Sequence, residues 1–344
     1  MLTSAPAPVS PTVNVVIVSW HHERWLRACI SAIASAGQNG FTLGSVVVVD
    51  NAAALPMDSL GTGATSVTVI RNEENRGFAR ACNQGAARCS GDYLLFLNPD
   101  TIVRPDALSR AIAALQTPSN ADVAIVGLRI VDTKQVTQRT CGRFPNLRAL
   151  AAQTLGLSRL TVARFPGIRM TDWPHDSTRD VDFVCGAALL VRRYVFEILG
   201  GFDERLFLYL EDADLALRAR ERGWRTRFCD TAVVEHASGW SQGTHRSWRL
   251  AHSWRSLLVY GWTHLGALRA LALAALVFSL APIARIGEAL SVRSASPVTD
   301  AGRALLQLIG LLRQDLLDGH SAEESRVTPG AAVRAAGAES LRQE

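Results

Sequence analysis

The sequence predicts an α/β protein built on a mostly parallel, doubly wound sheet, and three observations predict it. Short runs rich in valine, isoleucine and leucine recur up to residue 126 with no polar alternation, as strands buried on both faces do. Segments with helical spacing of apolar residues separate most of these runs. Polar residues then fall just past the run ends or in the turns that follow, at Ser19, Asp50, Asn51, Asn75, Asn98 and Asp100. A sheet of this class gathers such residues along one edge, where open α/β sheets bind ligands.

Taken in order, residues 13–18 form the first strand, ending at Ser19-Trp20. Residues 23–35 follow as a helix, with Trp25, Leu26, Cys29, Ile30 and Ile33 on one face. Strands at 46–49 and 67–70 end at Asp50-Asn51 and Arg71-Asn72. Gly77 precedes a helix at 78–88. The run at 93–97 stops at Asn98-Pro99-Asp100, because proline cannot continue a central ladder. A helix from about Pro105 to Gln116 and a strand at 123–126 complete the alternation. Residues 130–180 carry several arginines among small apolar residues and read as a long excursion, either beside the substrate or as a solvated loop. Sheet-like sequence returns at 181–191, a helix runs over about 212–221, and short strand pieces fall at 226–228 and 232–234.

The chain of 344 residues therefore divides into a flexible lead (1–12), an α/β domain (13–246), C-terminal amphipathic and apolar helices (247–320) and an unstructured tail (321–344). The lead has neither the charged nor the apolar region of a signal peptide. The net charge is +5, carried almost wholly by arginine, with Lys134 the single lysine. Arginine suits phosphate and carboxylate recognition, although a compositional bias gives the same excess. The arginines are dispersed and no recognised module accompanies them, which argues against nucleic acid as a partner. Six cysteines without a CxxC pair argue against a zinc site and read as free thiols of a reducing compartment. There is no GxGxxG and no Walker loop.

Several positions have chemistry in their own right. Asp100 is a hard oxygen ligand suited to Mg²⁺ or Mn²⁺, or else part of an Asn-Pro-Asp turn. Asp50 can accept hydrogen bonds from a nucleoside, or cap a turn. Asn75 and Gly77 stand before a helix N-terminus, a favourable place for phosphate. Glu211 and Asp212 stand at the first turn of a helix, whose dipole favours anions and lowers a carboxylate pKa. Asp214 cannot share a face with Asp212 and is expected to pair with Arg218. His236 follows a strand piece, where a histidine is either structural or a metal ligand.

Four blocks in this order resemble the family 2 glycosyltransferases, above all their bacterial rhamnosyltransferase-type branch. They are Val-Val-Ile-Val-Ser-Trp at 15–20, Val-Val-Val-Val-Asp-Asn at 46–51, Arg-Asn-Glu-Glu-Asn-Arg-Gly-Phe-Ala-Arg-Ala-Cys-Asn-Gln-Gly at 71–85 and Leu-Leu-Phe-Leu-Asn-Pro-Asp at 94–100. The resemblance runs over about residues 13–243. It implies the GT-A fold, a nucleotide-sugar-binding α/β sandwich, and an inverting, metal-dependent sugar transfer. It implies Asp212 as general base, Asp100 and His236 as ligands of Mg²⁺ or Mn²⁺, and Ser19, Asp50, Asn75, Gly77, Asn83 and Asn98 around the donor. Glu235 departs from the family pattern. The expected donor is dTDP-rhamnose, with UDP-galactofuranose, UDP-glucose or UDP-GlcNAc as the alternatives. The expected acceptor is a lipid-linked or cell-envelope glycan. An inactive nucleotide-sugar sensor or membrane scaffold is the reading from another class.

Beyond residue 247 tryptophans and arginines interleave, and residues 270–284 carry no charge. That run is short of the ~20 residues of a spanning helix. It fits peripheral contact with the cytoplasmic face of a membrane, or a helical hairpin packed on the domain. Residues 301–317 form a further amphipathic helix.

Overall fold

The computed structural model describes residues 10–20, 23–52, 66–155, 157, 167–236, 245–292 and 294–326. Most of the expected lead, most of the glycine-rich stretch at 239–246 (read as flap or linker) and the tail beyond 326 lie outside them. The elements in order are β1 (Thr12–Ser19), α1 (Glu23–Ser35), β2 (Thr42–Asn51), β3 (Val67–Asn72), α2 (Phe78–Ala86), β4 (Tyr93–Leu97) and β5 (Thr101–Val103). Next come α3 (Ala107–Gln116), β6 (Val123–Val131), β7 (Cys141–Gly142), α4 (Leu147–Thr154), β8 (Arg179–Val181), β9 (Phe183–Val184) and β10 (Ala188–Arg192). The remainder are α5 (Arg193–Ile198), α6 (Glu211–Glu221), β11 (Arg225–His236), α7 (Arg246–Tyr260), α8 (Ala267–Ala275), α9 (Ala281–Val292) and α10 (Ser296–Arg326).

One sheet holds nine of these strands in the order β3-β2-β1-β4-β10-β6-β11-β5, with β8 also on β11. β1, β2, β3 and β4 pair in parallel, as do β6 and β11. β10 runs antiparallel between β4 and β6. The stretch 181–191 is thus not one strand. It breaks into β8, β9 and β10, and residues 185–187 turn away from the ladder towards the strand ends. The two pieces expected at 226–228 and 232–234 are one strand with an irregularity between Cys229 and Val233.

The sheet is covered on both sides because its strands alternate two apolar faces. Val13, Val15, Ile17, Leu95 and Leu97 pack with Leu26, Ile30 and Ile33 of α1 and with Leu108 and Ile112 of α3. Val16, Leu94 and Phe96 pack on the other face with α2, α6, Phe196 and Phe202. The Phe96 ring meets Phe196 and Phe202 at 5.1 and 4.9 Å, in the tilted and edge geometries that aromatic quadrupoles prefer. Each fully buried aliphatic or aromatic side chain of this kind contributes roughly 1.5–3 kcal/mol.

The C-terminal helices extend the second face. Trp254 and Tyr260 of α7 are buried there, and α7 carries α10 on its outer side, tied by the Arg255–Asp315 pair at 2.6 Å. Ser256 donates to the Leu208 carbonyl at 2.8 Å. α8 and α9 join through a π-helical segment at Leu276–Leu280, just ahead of Pro282, which has no N–H for the regular ladder. The apolar helix therefore extends past the run at 270–284 to Ala267–Ile286, 20 residues with a mean hydropathy of 2.0. Among the described residues it is the one helix long and apolar enough to cross a membrane, by length and composition. α10 also outruns its expected bounds and ends at Arg326, inside the stretch expected as tail.

Candidate active site

Asn98, Pro99 and Asp100 leave the carboxyl end of β4 as a tight turn, closed by the Thr101 N–H on the Asn98 carbonyl at 3.2 Å. The chain then enters β5. β5 pairs with the end of β11 in the register His236↔Thr101 and Val234↔Val103. That pairing brings His236 beside Asp100, with Nε2 at 3.0 Å from Oδ1. Asn98 adds its side-chain amide 3.4 Å from the same nitrogen. Asp100 is buried at 8% exposure.

This pair fits a divalent ion. Adjacent ligands of an octahedral Mg²⁺, with bonds of ~2.1 Å, stand about 3.0 Å apart, as these two donor atoms do. A carboxylate suits Mg²⁺ or Mn²⁺ and an imidazole can join it on Mn²⁺, the less hard of the two, with substrate phosphates and water completing the shell. No group of three or more ionisable ligands occurs among the described residues, so the substrate would have to supply the rest.

The second centre is the start of α6. Tyr209 and Leu210 both take left-handed backbone angles, φ 73° and 68°, a conformation that side chains disfavour and that marks over-determined sites. The reversal ends on Glu211 and Asp212. Asp212 is gripped from two sides, since the Gly186 N–H donates to Oδ2 at 3.1 Å and the Ala213 N–H to Oδ1 at 2.8 Å. Burial pushes the Asp212 carboxyl up from its ordinary range. Glu211 is pushed up as well, by its own burial and by the neighbouring Asp212 charge. The lowering expected from the helix dipole is therefore overturned, because desolvation outweighs a dipole term of at most ~2 kcal/mol.

Both centres open into one cleft of about 1040 Å³. Asn75, Gly77, Asn98, Asp100, Asp212 and His236 all line it. Gly77 has φ 83°, and a Cβ there would lie 2.7 Å from the Phe207 carbonyl, so the position admits only glycine. Asn75 positions its own loop. Its Oδ1 accepts from the Gly77 N–H at 3.0 Å and from the Asn51 side chain at 2.7 Å. Asn51 in turn accepts from Arg76 and Asn72 at 3.0 Å. This amide network holds the loop rigid against the strand ends.

Three expected donor residues do not line the cleft. Ser19 and Asp50 pair across β1 and β2 at the same edge but are buried, at 0% and 2% exposure. Asn51, next along β2, lines the wall instead. Asn83 lies outside the lining as well. Its Nδ2 donates to the Phe202 carbonyl and its Oδ1 accepts the Phe202 N–H, both at 2.9 Å, so it clamps the turn before α6. The residues not foreseen here are aromatic and basic. Trp20 meets Trp248 at 5.0 Å. Phe207 stacks at 4.2 Å on His252, which burial lowers to about 4 and keeps neutral. Arg169 and Arg249 complete the wall. No local motif marks them, since they come from separate parts of the chain. Asp214 is paired with Arg218 at 2.6 Å, as expected.

The family model described as glycosyltransferase-like family 2 matches residues 11–254. The chain belongs to this family. An N-acetylglucosaminyl-diphospho-decaprenol L-rhamnosyltransferase of Mycobacterium tuberculosis is 39% identical over 84 residues, 24% of this chain and 27% of that relative. Rhamnosyltransferase WbbL of Escherichia coli K12 is 27% identical over 71% of this chain and 92% of its own length. Thus the match spans about a quarter of the mycobacterial relative and nearly all of the other. Among solved structures, the mannosyltransferase PcManGT of Pyrobaculum calidifontis shows a TM-score of 0.48 at 18% identity, covering 93% of this chain and 84% of that one.

Proposed function

We propose that the protein is an inverting, divalent-metal-dependent rhamnosyltransferase, using dTDP-rhamnose and a lipid-linked glycan acceptor. The observation that carries this reading is the convergence of Asp212 with the Asp100–His236 pair on one cleft at the strand ends. The donor and acceptor classes follow the activities of the similar rhamnosyltransferases named above. Asp212 accepts the proton of the acceptor hydroxyl, and the two N–H groups on its carboxylate fix its direction. Attack on the face opposite the leaving group inverts the anomeric centre, by the logic of a base on the far face of a sugar. Asp100 and His236 would hold the ion that neutralises the leaving diphosphate. Asn75, Gly77 and Asn98 shape the donor pocket, and the tilted Trp20–Trp248 pair offers an aromatic wall beside it.

Nucleoside diphosphate release from a panel of dTDP-, UDP- and GDP-sugars, with lipid extract as acceptor, tests this. We expect extract-dependent release from dTDP-rhamnose, abolished by chelation and lowered at least ~10²-fold by Asp100→Ala. Tight nucleotide-sugar binding with no turnover under any metal would overturn the reading in favour of a sensor.

We also propose peripheral contact with the cytoplasmic membrane face. Leu268, Leu271 and Ile283, on the 20-residue apolar helix, are exposed at 85%, 58% and 59%. Apolar side chains laid along a surface of this kind bind a bilayer interface. Flotation with phosphatidylglycerol vesicles should carry the wild type, and Leu268→Glu with Leu271→Glu should leave it in the dense fraction. Equal flotation of both proteins would remove the helix from the contact.

A further inference from the structure

The cleft is longer than its strand-edge end. It continues between the α/β domain and the C-terminal helices, where Leu250 and Leu257 of α7, Arg285 of α9 and Pro297 of α10 line it. Arg169 and Arg249 line the same cleft. We propose that this helix-lined end binds the diphosphate of a lipid-linked acceptor, among Arg169, Arg249 and Arg285, and lets its apolar chain leave over α9 and α10. The inference rests on the lipid-linked acceptor proposed above.

Three observations carry it. The first is charge. Arg169, Arg249 and Arg285, from separate parts of the chain, line the cleft together with Arg246, and the carboxylates that line it are Asp100, Glu211, Asp212 and Asp300. Guanidinium forks match phosphate oxygens in pairs. The second is a donor awaiting an acceptor. Arg249 Nε is buried with no hydrogen-bond partner, and such a group is costly unless a ligand satisfies it. The third is continuity. Ile286 follows Arg285 and Val298 follows Pro297, and these neighbours are exposed at 49% and 40%, with Ile283 at 59%. Helices α9 and α10 therefore carry both cleft-lining residues and exposed apolar side chains. A free sugar or a nucleotide needs no such exit, whereas an isoprenoid or acyl diphosphate does. One molecule laid across this boundary has its phosphates among the arginines, its chain on the helices and its sugar in the cleft that holds Asp212.

Farnesyl diphosphate is the probe, titrated calorimetrically into the full chain with dTDP and Mg²⁺ saturating. Wild type should bind it and should bind farnesol far more weakly. Arg249→Ala and Arg285→Ala should each weaken farnesyl diphosphate roughly 10-fold or more, as loss of a charge-assisted hydrogen bond does. Their dTDP affinity should match wild type, which also reports that they fold. Two outcomes overturn the site: complete displacement of the probe by dTDP, and equal affinity in wild type and variants. Arginine-dependent probe binding in an enzyme that glycosylates no lipid-linked acceptor would sink the transferase reading and keep the site. Turnover of such an acceptor with arginine-independent binding would do the reverse.

Discussion

Asp212→Asn is expected to lower kcat roughly 10²–10⁴-fold, the range that general base catalysis contributes, with donor affinity unchanged. The substitution keeps shape and removes the proton acceptor. It also exchanges one carboxylate oxygen for an amide nitrogen, facing either the Gly186 or the Ala213 N–H. That opposition of two donors costs about 1–3 kcal/mol, so a modest fall in Tm should accompany the kinetic loss. The pH profile separates the two effects. Asp212 must be charged to take a proton, so wild-type kcat falls as pH drops through its pKa. Burial raises that pKa, so the acid limb should lie above the ordinary carboxylate value of ~3.9. The residual activity of the Asn variant should lack this limb. A variant that keeps a tenth of wild-type kcat, or the same acid limb, would remove Asp212 from the proton transfer.

Much of this site was legible because buried parallel strands write themselves as uninterrupted apolar runs. The polar residues that end the 93–97 run must then fall on one edge, which is how Asn98 and Asp100 could be named without coordinates, whereas the role of Asp212 came from the family resemblance. The limits α1 and β4 reproduce are those of their hydrophobic pattern. What local pattern cannot show is pairing. β5 is three residues long, and its match to the end of β11 joins Asp100 to a histidine 136 positions further on. Only the family resemblance pointed to that partner. The bonding of Asn83 was hidden for a related reason. The residue stands within a motif that resembles the donor-binding segment, but it sits inside α2, and its side chain meets Phe202 across the fold. The sign of the Asp212 shift depends on how deeply the helix start is buried, and the left-handed Tyr209 and Leu210 that bury it carry no glycine or asparagine to announce them.

Asp214→Ala is expected to destabilise the protein by about 3–5 kcal/mol, the loss seen when one partner of a buried ion pair is removed. Asp214 is 1% exposed and holds two partners at once. Oδ2 accepts from Arg218 at 2.6 and 2.8 Å, and Oδ1 lies 2.7 Å from His264 Nε2. Arg218 passes the connection on to the Leu199 and Gly201 carbonyls. His264 stands on the π-helical Gly261–Leu265 segment that ends α7. One carboxylate therefore ties the helix bearing Asp212 to the turn that Asn83 clamps and to the C-terminal helices. His264→Ala removes one of these ties and should cost less, because Arg218 keeps its carboxylate. The double variant should then show a coupling of roughly 0.5–3 kcal/mol, as contacting residues do. Because α6 also carries Asp212, His264→Ala should lower kcat while leaving dTDP affinity and donor KM in place. His264→Gln, which can still donate to Asp214, should restore part of it. If Asp214→Ala unfolds at the wild-type midpoint, the three-way junction contributes nothing, and the C-terminal helices are held to the catalytic helix by apolar packing alone.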